Sequence, residues 1–237
     1  MVPWNGVLVV TRLILFDIDG TLVLTGGAGG RAMTRAFRDV FGRENGMGSP
    51  SMAGRTDAWI VSQMASHHQL ECSAETAARF HDAYIGHLLQ EIHKPGPQKG
   101  ALPGVRDVLE ALSMHPTAQL ALLTGNFERG AQIKLEYFDL WKYFACGAFG
   151  DAAHDRNSLL GTALERVRTR CGITVQPSDV TIVGDTPLDV AVAVAGGARS
   201  VAVATGSYDV DALRACGADA VLEDLRDVDA ALDAMGL

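Results

Sequence analysis

Apolar residues recur along this chain in two rhythms. Short runs that are apolar throughout, and of strand length, occur at Leu13 to Phe16, Gln119 to Thr124, Cys146 to Phe149, Val180 to Gly184, Ser200 to Ala204 and Ala220 to Leu222. Between the later runs the apolar positions fall three and four apart, as on one face of a helix. Gly104 to Met114 carries Val105, Leu109 and Leu112 in this way, and Phe127 to Leu140, Asn157 to Cys171, Pro187 to Ala195, Asp209 to Cys216 and Leu225 to Met235 continue the alternation. Strands without polar alternation are buried on both faces, which a parallel sheet flanked by helices requires. The pattern predicts a doubly wound α/β domain.

One stretch breaks the alternation. Met33, Phe37, Val40 and Phe41 have helical spacing, Asp57 to His67 reads as a helix, and Ala74 to His93 places Ile85, Leu88, Leu89 and Ile92 in a stripe. No strand-like run intervenes. Gly26-Gly-Ala-Gly-Gly30 precedes the segment and Lys94-Pro-Gly-Pro-Gln-Lys-Gly100 ends it, both rich in residues that interrupt regular structure. The expectation is a helical insertion at 24–98 within an α/β core of 1–23 and 99–237, with the first glycine cluster acting as a hinge.

Composition narrows the class. A chain of 237 residues, 48% apolar and 20% charged, can bury a proper core. Its net charge of -8, without clusters of Lys and Arg, argues against a nucleic-acid partner. Cys72, Cys146, Cys171 and Cys216 are scattered, with no zinc spacing, and read as small buried thiols of a reducing compartment. Val7 to Phe16 is too short for a membrane span and lacks a signal-peptide cleavage site. A cytoplasmic protein with no membrane partner is therefore expected, as a monomer or homodimer.

The candidate chemistry lies where strands end. Asp17 and Asp19 follow the first apolar run, on one face of the strand at i and i+2, with Gly20 next. Thr124-Gly-Asn126, Gly150-Asp151 with Arg156 beyond, and Gly184-Asp185-Thr-Pro-Leu-Asp189 follow later runs. Each cluster alone also suits a turn or a helix cap. Together they would converge on the carboxyl edge of one sheet, where open α/β folds bind ligands.

In these residues the chain resembles the phosphatase branch of the haloacid dehalogenase superfamily. Asp17, Asp19, Gly20 and Thr21 match its Asp-x-Asp-Gly-Thr, followed in order by Thr124, Arg156, and Gly184, Asp185 and Asp189. The insertion falls where that family carries a small α-helical cap on its Rossmann-like core. The resemblance implies a Mg²⁺-dependent phosphatase acting on a small phosphorylated metabolite. Asp17 would be the nucleophile that forms an aspartyl-phosphate, and Asp19 the acid and base. Thr124 and Arg156 would steady the phosphoryl group, helped by Gly125 and Asn126. Asp17, the Asp19 carbonyl and Asp185 would hold Mg²⁺, and Asp189 would orient them from outside.

Many relatives carry Lys at the third motif, and Arg156 is the nearest suitable cation, since Lys142 precedes the strand and Arg166 lies deep in the next helix. In the insertion, Arg55 and Thr56 are expected to touch substrate, with Asp57 assisting; a capping Thr56 beside a solvated Arg55 fits equally well. The five histidines of the insertion lack metal spacing, and His154 is a candidate only by nearness to the third motif. A phosphomutase of the beta-phosphoglucomutase type keeps the same two aspartates. A phospho-accepting regulatory module would need neither Asp19 nor a cap.

Overall fold

A computed structural model describes residues 12–44, 52–151 and 155–237. Its main sheet has six strands: β1 (Arg12–Phe16), β4 (Ala118–Leu123), β5 (Gly147–Ala148), β6 (Val180–Gly184), β7 (Arg199–Val203) and β8 (Ala220–Leu222). They run parallel in the order β5-β4-β1-β6-β7-β8. The central strand shows why its sequence is apolar throughout. Ile14 and Phe16 enter one core with α4 (Val105–Met114), α5 (Glu128–Tyr137) and α9 (Val228–Met235). Leu13 and Leu15 enter another, with α6 (Leu159–Cys171) and α7 (Pro187–Gly196). All four side chains are fully buried. The expected doubly wound α/β architecture is present, with α8 (Val210–Ala215) completing the alternation.

β1 stands where the order reverses, with β4 on one side and β6 on the other. Chains leaving the carboxyl ends of these three strands diverge and leave a crevice. Asp17, Thr124 and Asp185 immediately follow them.

Three helices follow β1: α1 (Ala28–Phe41), α2 (Asp57–His67) and α3 (Ala74–Glu91). They build an apolar cluster of their own from Phe37, Met64, Phe80 and Leu88, joined by Phe127 and Ile133 from the sheet side. The helix limits expected from spacing hold within a few residues, except at α1. That helix already begins at Ala28, so Gly29 and Gly30 are helical and the glycine cluster is not a free hinge. Gly26 and Gly27 do take left-handed φ of 63° and 79°. Gly26 packs against Gly96 so closely that a Cβ on Gly26 would stand 2.8 Å from the Gly96 Cα. Entry and exit are further tied by a two-stranded ribbon of β2 (Val23–Leu24) and β3 (Gly100–Ala101), antiparallel, which two-residue strands leave invisible to periodicity.

Glu91 fastens α3 to α1. Its side chain is 2% exposed and meets Arg31 at 2.7 Å, Arg35 at 2.8 Å and Lys94 at 2.6 Å. Hydrogen bonds from Lys94 and Arg31 hold its carboxyl down at about 2. A depressed acid contributes stability that is complete above its unfolded pKa and is lost as pH falls through the folded one. Glu91→Gln is expected to lower unfolding free energy by about 1–3 kcal/mol at neutral pH. Wild type and variant should converge between about pH 4.5 and about pH 2, readable by urea titration across pH. A constant difference across that window would remove the ion cluster as the cause.

One reading changes here. Among the cysteines only Cys146 is buried; Cys72 and Cys171 are half-buried and Cys216 is exposed. Residues 7–11 of the first apolar stretch, and His154, lie outside the described residues, within which no helix is long and apolar enough to cross a membrane.

Candidate active site

Asp17, Asp185 and Asp189 bring carboxylate oxygens within 4.8 Å of one another, all three buried. They arrive from the end of β1, the end of β6 and the first turn of α7. Asp17 carries its strand's ladder one residue further through its amide, which donates to Val183 O at 3.0 Å. Asp189 is the third helical residue of α7 and closes a capping box, accepting from the Thr186 amide at 3.1 Å and hydroxyl at 2.7 Å. Asp185 accepts from Thr21 Oγ1 at 3.1 Å. A Cβ on Gly20 or Gly206 would run into the Asp185 carboxylate, so glycine at both places lets the backbone close around it. Gly20 also has a left-handed φ of 85°, which turns the chain sharply behind Asp19.

Among the described residues, one cation faces this group. Arg156 is 6% exposed and places its guanidinium 2.5 Å from Asp189 and 3.3 Å from Asp17, while also donating to Gly54 O at 2.8 Å. Lys142 instead pairs with Asp139, and Arg166 with Glu128, so neither reaches the site. Burial opposes the Arg156 charge, but Asp189 and Asp17 outweigh it and hold its pKa above the usual value. Even so the acids are undercompensated. Burial, only partly offset by Arg156 and with Asp189 adding to it, pushes Asp17 up to about 6. Burial and then Asp17 and Asp189 push Asp185 up to about 8.

Asp19 stands apart, its side chain 42% exposed, and accepts from Lys134 Nζ at 2.5 Å and Asn126 Nδ2 at 2.8 Å. The Asn126 amide also donates to Thr124 Oγ1 at 2.8 Å and accepts from Lys134. Thr124 is fully buried, and its side chain pulls the Asp17 pKa down against the effect of burial. Asn126 therefore links the two aspartates' surroundings. The Gly125 carbonyl accepts from the Asp57 amide at 2.7 Å, and a Cβ on Gly125 would strike Arg55 O.

From the helical segment, Thr56 is buried and caps α2, its hydroxyl accepting from the Trp59 amide at 3.2 Å. Arg55 is exposed and stacks over the Trp59 ring at 4.6 Å, on the wall of the cavity. Asp57 accepts from the Phe127 amide at 2.8 Å, and burial raises it to about 7 against the opposing pull of Lys134.

A cavity of about 590 Å³ joins these groups, opening from Asp17 and Asp185 past Asp19 towards Gly29, Gly30 and Tyr84 of the helical segment. Lys134 and Tyr84 escaped the sequence reading. Lys134 belongs to α5 and is 4% exposed, on the same face as Phe127 and Ala131, so a lysine on the apolar stripe of a core helix was the available signal. Tyr84 sits on the α3 stripe and looks like an ordinary core aromatic in sequence.

The haloacid dehalogenase-like hydrolase family profile matches residues 11–197. Phosphoglycolate phosphatase 1 of Pseudomonas aeruginosa (strain PAO1) is 29% identical over 236 residues, covering 92% of this chain and 78% of that protein. Phosphoglycolate phosphatase of Pseudomonas fluorescens (strain Pf0-1) is 27% identical over 229 residues, covering 91% and 77%. Among solved structures, a hydrolase from Pseudomonas syringae superposes with a TM-score of 0.70 at 21% identity, covering 94% of this chain and 98% of that one, a likeness of fold. With the strand-end acids, the doubly wound sheet and a match running from β1 through α7, this chain belongs to the haloacid dehalogenase-like hydrolase family.

Proposed function

We propose that the protein is a Mg²⁺-dependent phosphatase that hydrolyses a small phosphate monoester through an aspartyl-phosphate on Asp17. The observation that carries this reading is the separation of the two aspartates. Asp17 is packed with Asp185, Asp189 and Arg156, whereas Asp19 is held off by Lys134 and Asn126. One carboxylate is thus set to attack and the other to move protons. The phosphatase names of the two Pseudomonas relatives support the same reading.

The donor set fits Mg²⁺. Asp17 and Asp185 supply hard oxygens, the Asp19 carbonyl would add a third, and three acids facing one guanidinium leave negative charge for a divalent ion to balance. When bound, the ion would offset repulsion between the carboxylates and an incoming phosphate. The remaining chemistry belongs to the chain's own groups. Asp17 would attack phosphorus while Asp19 gives its proton to the departing oxygen; Asp19 would then take a proton from the water that cleaves the acyl phosphate. Thr124 and Arg156 would hold phosphoryl oxygens. Arg156 Nε is buried without a partner among the described residues, a donor that such an oxygen would satisfy. Asp189 would keep Arg156 in place from outside.

Residues 24–98 would act as a cap over the core of 1–23 and 99–237, with Arg55 meeting the outer part of a substrate and Gly125 and Asn126 its phosphoryl end. The test is phosphate release from a panel of monoesters with Mg²⁺ and with chelator. Release that requires the metal is expected, and no release from any ester would overturn the reading. Arg55→Ala should reorder the panel, changing kcat/KM by about tenfold for some esters and little for others. Equal losses on every ester would contradict a role in selection.

A further inference from the structure

Lys134 is a charged residue on an apolar stripe, and the chemistry proposed for Asp17 and Asp19 does not call on it. It is buried on the face of α5 that also buries Gly130 and Ala131. A buried ammonium is costly unless its charge and its donors are met. Asp19 Oδ2 meets the charge at 2.5 Å, and a second donor goes to Asn126 Oδ1 at 2.5 Å. An ammonium can only donate, so it holds the carbonyl end of the Asn126 amide and turns Nδ2 the other way, to Asp19 Oδ2 at 2.8 Å. Lys134, Asn126 and Asp19 thus close a triangle of hydrogen bonds.

The triangle treats the two oxygens of Asp19 differently. Both donors meet Oδ2 and neither meets Oδ1. A carboxylate oxygen that accepts an ammonium proton and an amide proton has used both of its lone-pair positions, whereas Oδ1 keeps its own. The ammonium has little room to move. A Cβ on Gly29 would lie 3.5 Å from its Nζ and 3.7 Å from its Cε, so the first turn of α1 roofs the end of the side chain. Asp57 also feels this charge, but it accepts from the Phe127 amide. Without the triangle the Asp19 carboxylate, 42% exposed, could turn about its own bonds.

We propose that Lys134 is a positioning residue for the acid: by occupying Oδ2 it makes Oδ1 the oxygen of Asp19 that carries the proton, and it holds that oxygen in one orientation. The proposal rests on the phosphatase reading, which takes Asp19 as the acid. In the step itself an Asp17 oxygen forms its bond to phosphorus while the bond from phosphorus to the ester oxygen breaks. The electron pair of the broken bond and the Oδ1 proton both go to the ester oxygen, which leaves as an alcohol. Asp19 is left as a carboxylate with an ammonium partner already in place. A placed acid contributes roughly 10²–10⁴-fold, and the gain is largest for an alkoxide, which is a poor leaving group unprotonated.

The test compares kcat/KM, with Mg²⁺, for ethyl phosphate, whose alkoxide needs the proton, and for p-nitrophenyl phosphate, whose phenolate leaves without it. This parameter covers steps only up to release of the alcohol, so later hydrolysis of the aspartyl-phosphate does not enter. Lys134→Met should lower it about 30-fold or more on ethyl phosphate and less than about threefold on p-nitrophenyl phosphate. Asn126→Ser takes one donor from Oδ2 while Lys134 stays paired, and it should show the same split at smaller size. With Asp19→Asn already in place, Lys134→Met should change ethyl phosphate hydrolysis by no more than about twofold, because it acts through that acid. Equal losses on both esters in Lys134→Met, or in Asn126→Ser should the methionine variant not fold, would overturn the role. A full further loss in the Asp19→Asn background would do the same. Either result leaves the phosphatase reading intact, while no release from either ester by wild type would bring down both.

Discussion

Asp17→Asn is expected to cut phosphate release by about 10³-fold or more while leaving the protein folded. An amide is nearly the same size as the carboxylate but a far poorer nucleophile, so the aspartyl-phosphate could not form. The stability side follows from the crowding of the site. Asp17 shares a buried space with Asp185 and Asp189, and only Arg156 opposes them. Taking one negative charge out of that space should leave the metal-free variant as stable as wild type, or more so. The paired measurement is therefore steady-state turnover and thermal unfolding in chelator. Lost activity with a retained or raised Tm supports the nucleophile. Retained activity would remove Asp17 from the chemistry, and a collapsed Tm would mean that its carboxylate has a structural duty that the geometry does not show.

How far the sequence could lead depended on the kind of signal each element carries. β1 and β6 announced themselves because both of their faces are buried, which leaves no polar alternation to confuse them. Asp17, Asp185 and Asp189 could be found because strand ends at a sheet's carboxyl edge collect ligands, and their spatial meeting follows from strand order. By contrast, the β2–β3 ribbon is too short for any period. The α1 start was misplaced because a glycine cluster reads as flexible, while Ala28, Ala32, Met33, Ala36 and Phe37 bury that helix strongly enough to extend it through Gly29 and Gly30. Thr56 and Arg55 had two equal readings; packing makes Thr56 a helix cap and stacks Arg55 on Trp59, yet it leaves Arg55 on the cavity wall, so the cap contact is seen and the substrate contact stays a proposal. Lys134 was hidden for another reason. Its importance lies in what α5 faces, namely Asp19 and Asn126, and no local pattern records that.

Arg156→Leu is expected to do what Asp17→Asn does not, lowering both turnover and stability. The guanidinium is the one cation touching Asp17 and Asp189 among the described residues, and it also holds the Gly54 carbonyl of the helical segment. A leucine fills much of the space but leaves two buried acids with no opposing charge and Gly54 O without its donor. Removing one partner of a buried ion pair typically costs about 3–5 kcal/mol, so an unfolding free energy lower by about 3 kcal/mol is expected in chelator. Mg²⁺ should restore part of it, since a divalent ion supplies charge to the same acids. Turnover should fall by about 10²–10³-fold even in Mg²⁺, because a fixed donor to the transferring group is lost. Arg156→Lys separates the contributions: an ammonium keeps one charge near the acids but cannot span Asp189, Asp17 and Gly54 O together. Its stability should approach wild type with turnover still reduced, measured by denaturant titration beside kcat/KM. If Leu and Lys variants lost activity equally and neither lost stability, Arg156 would act on substrate alone, and the acids would have to be balanced by some other group.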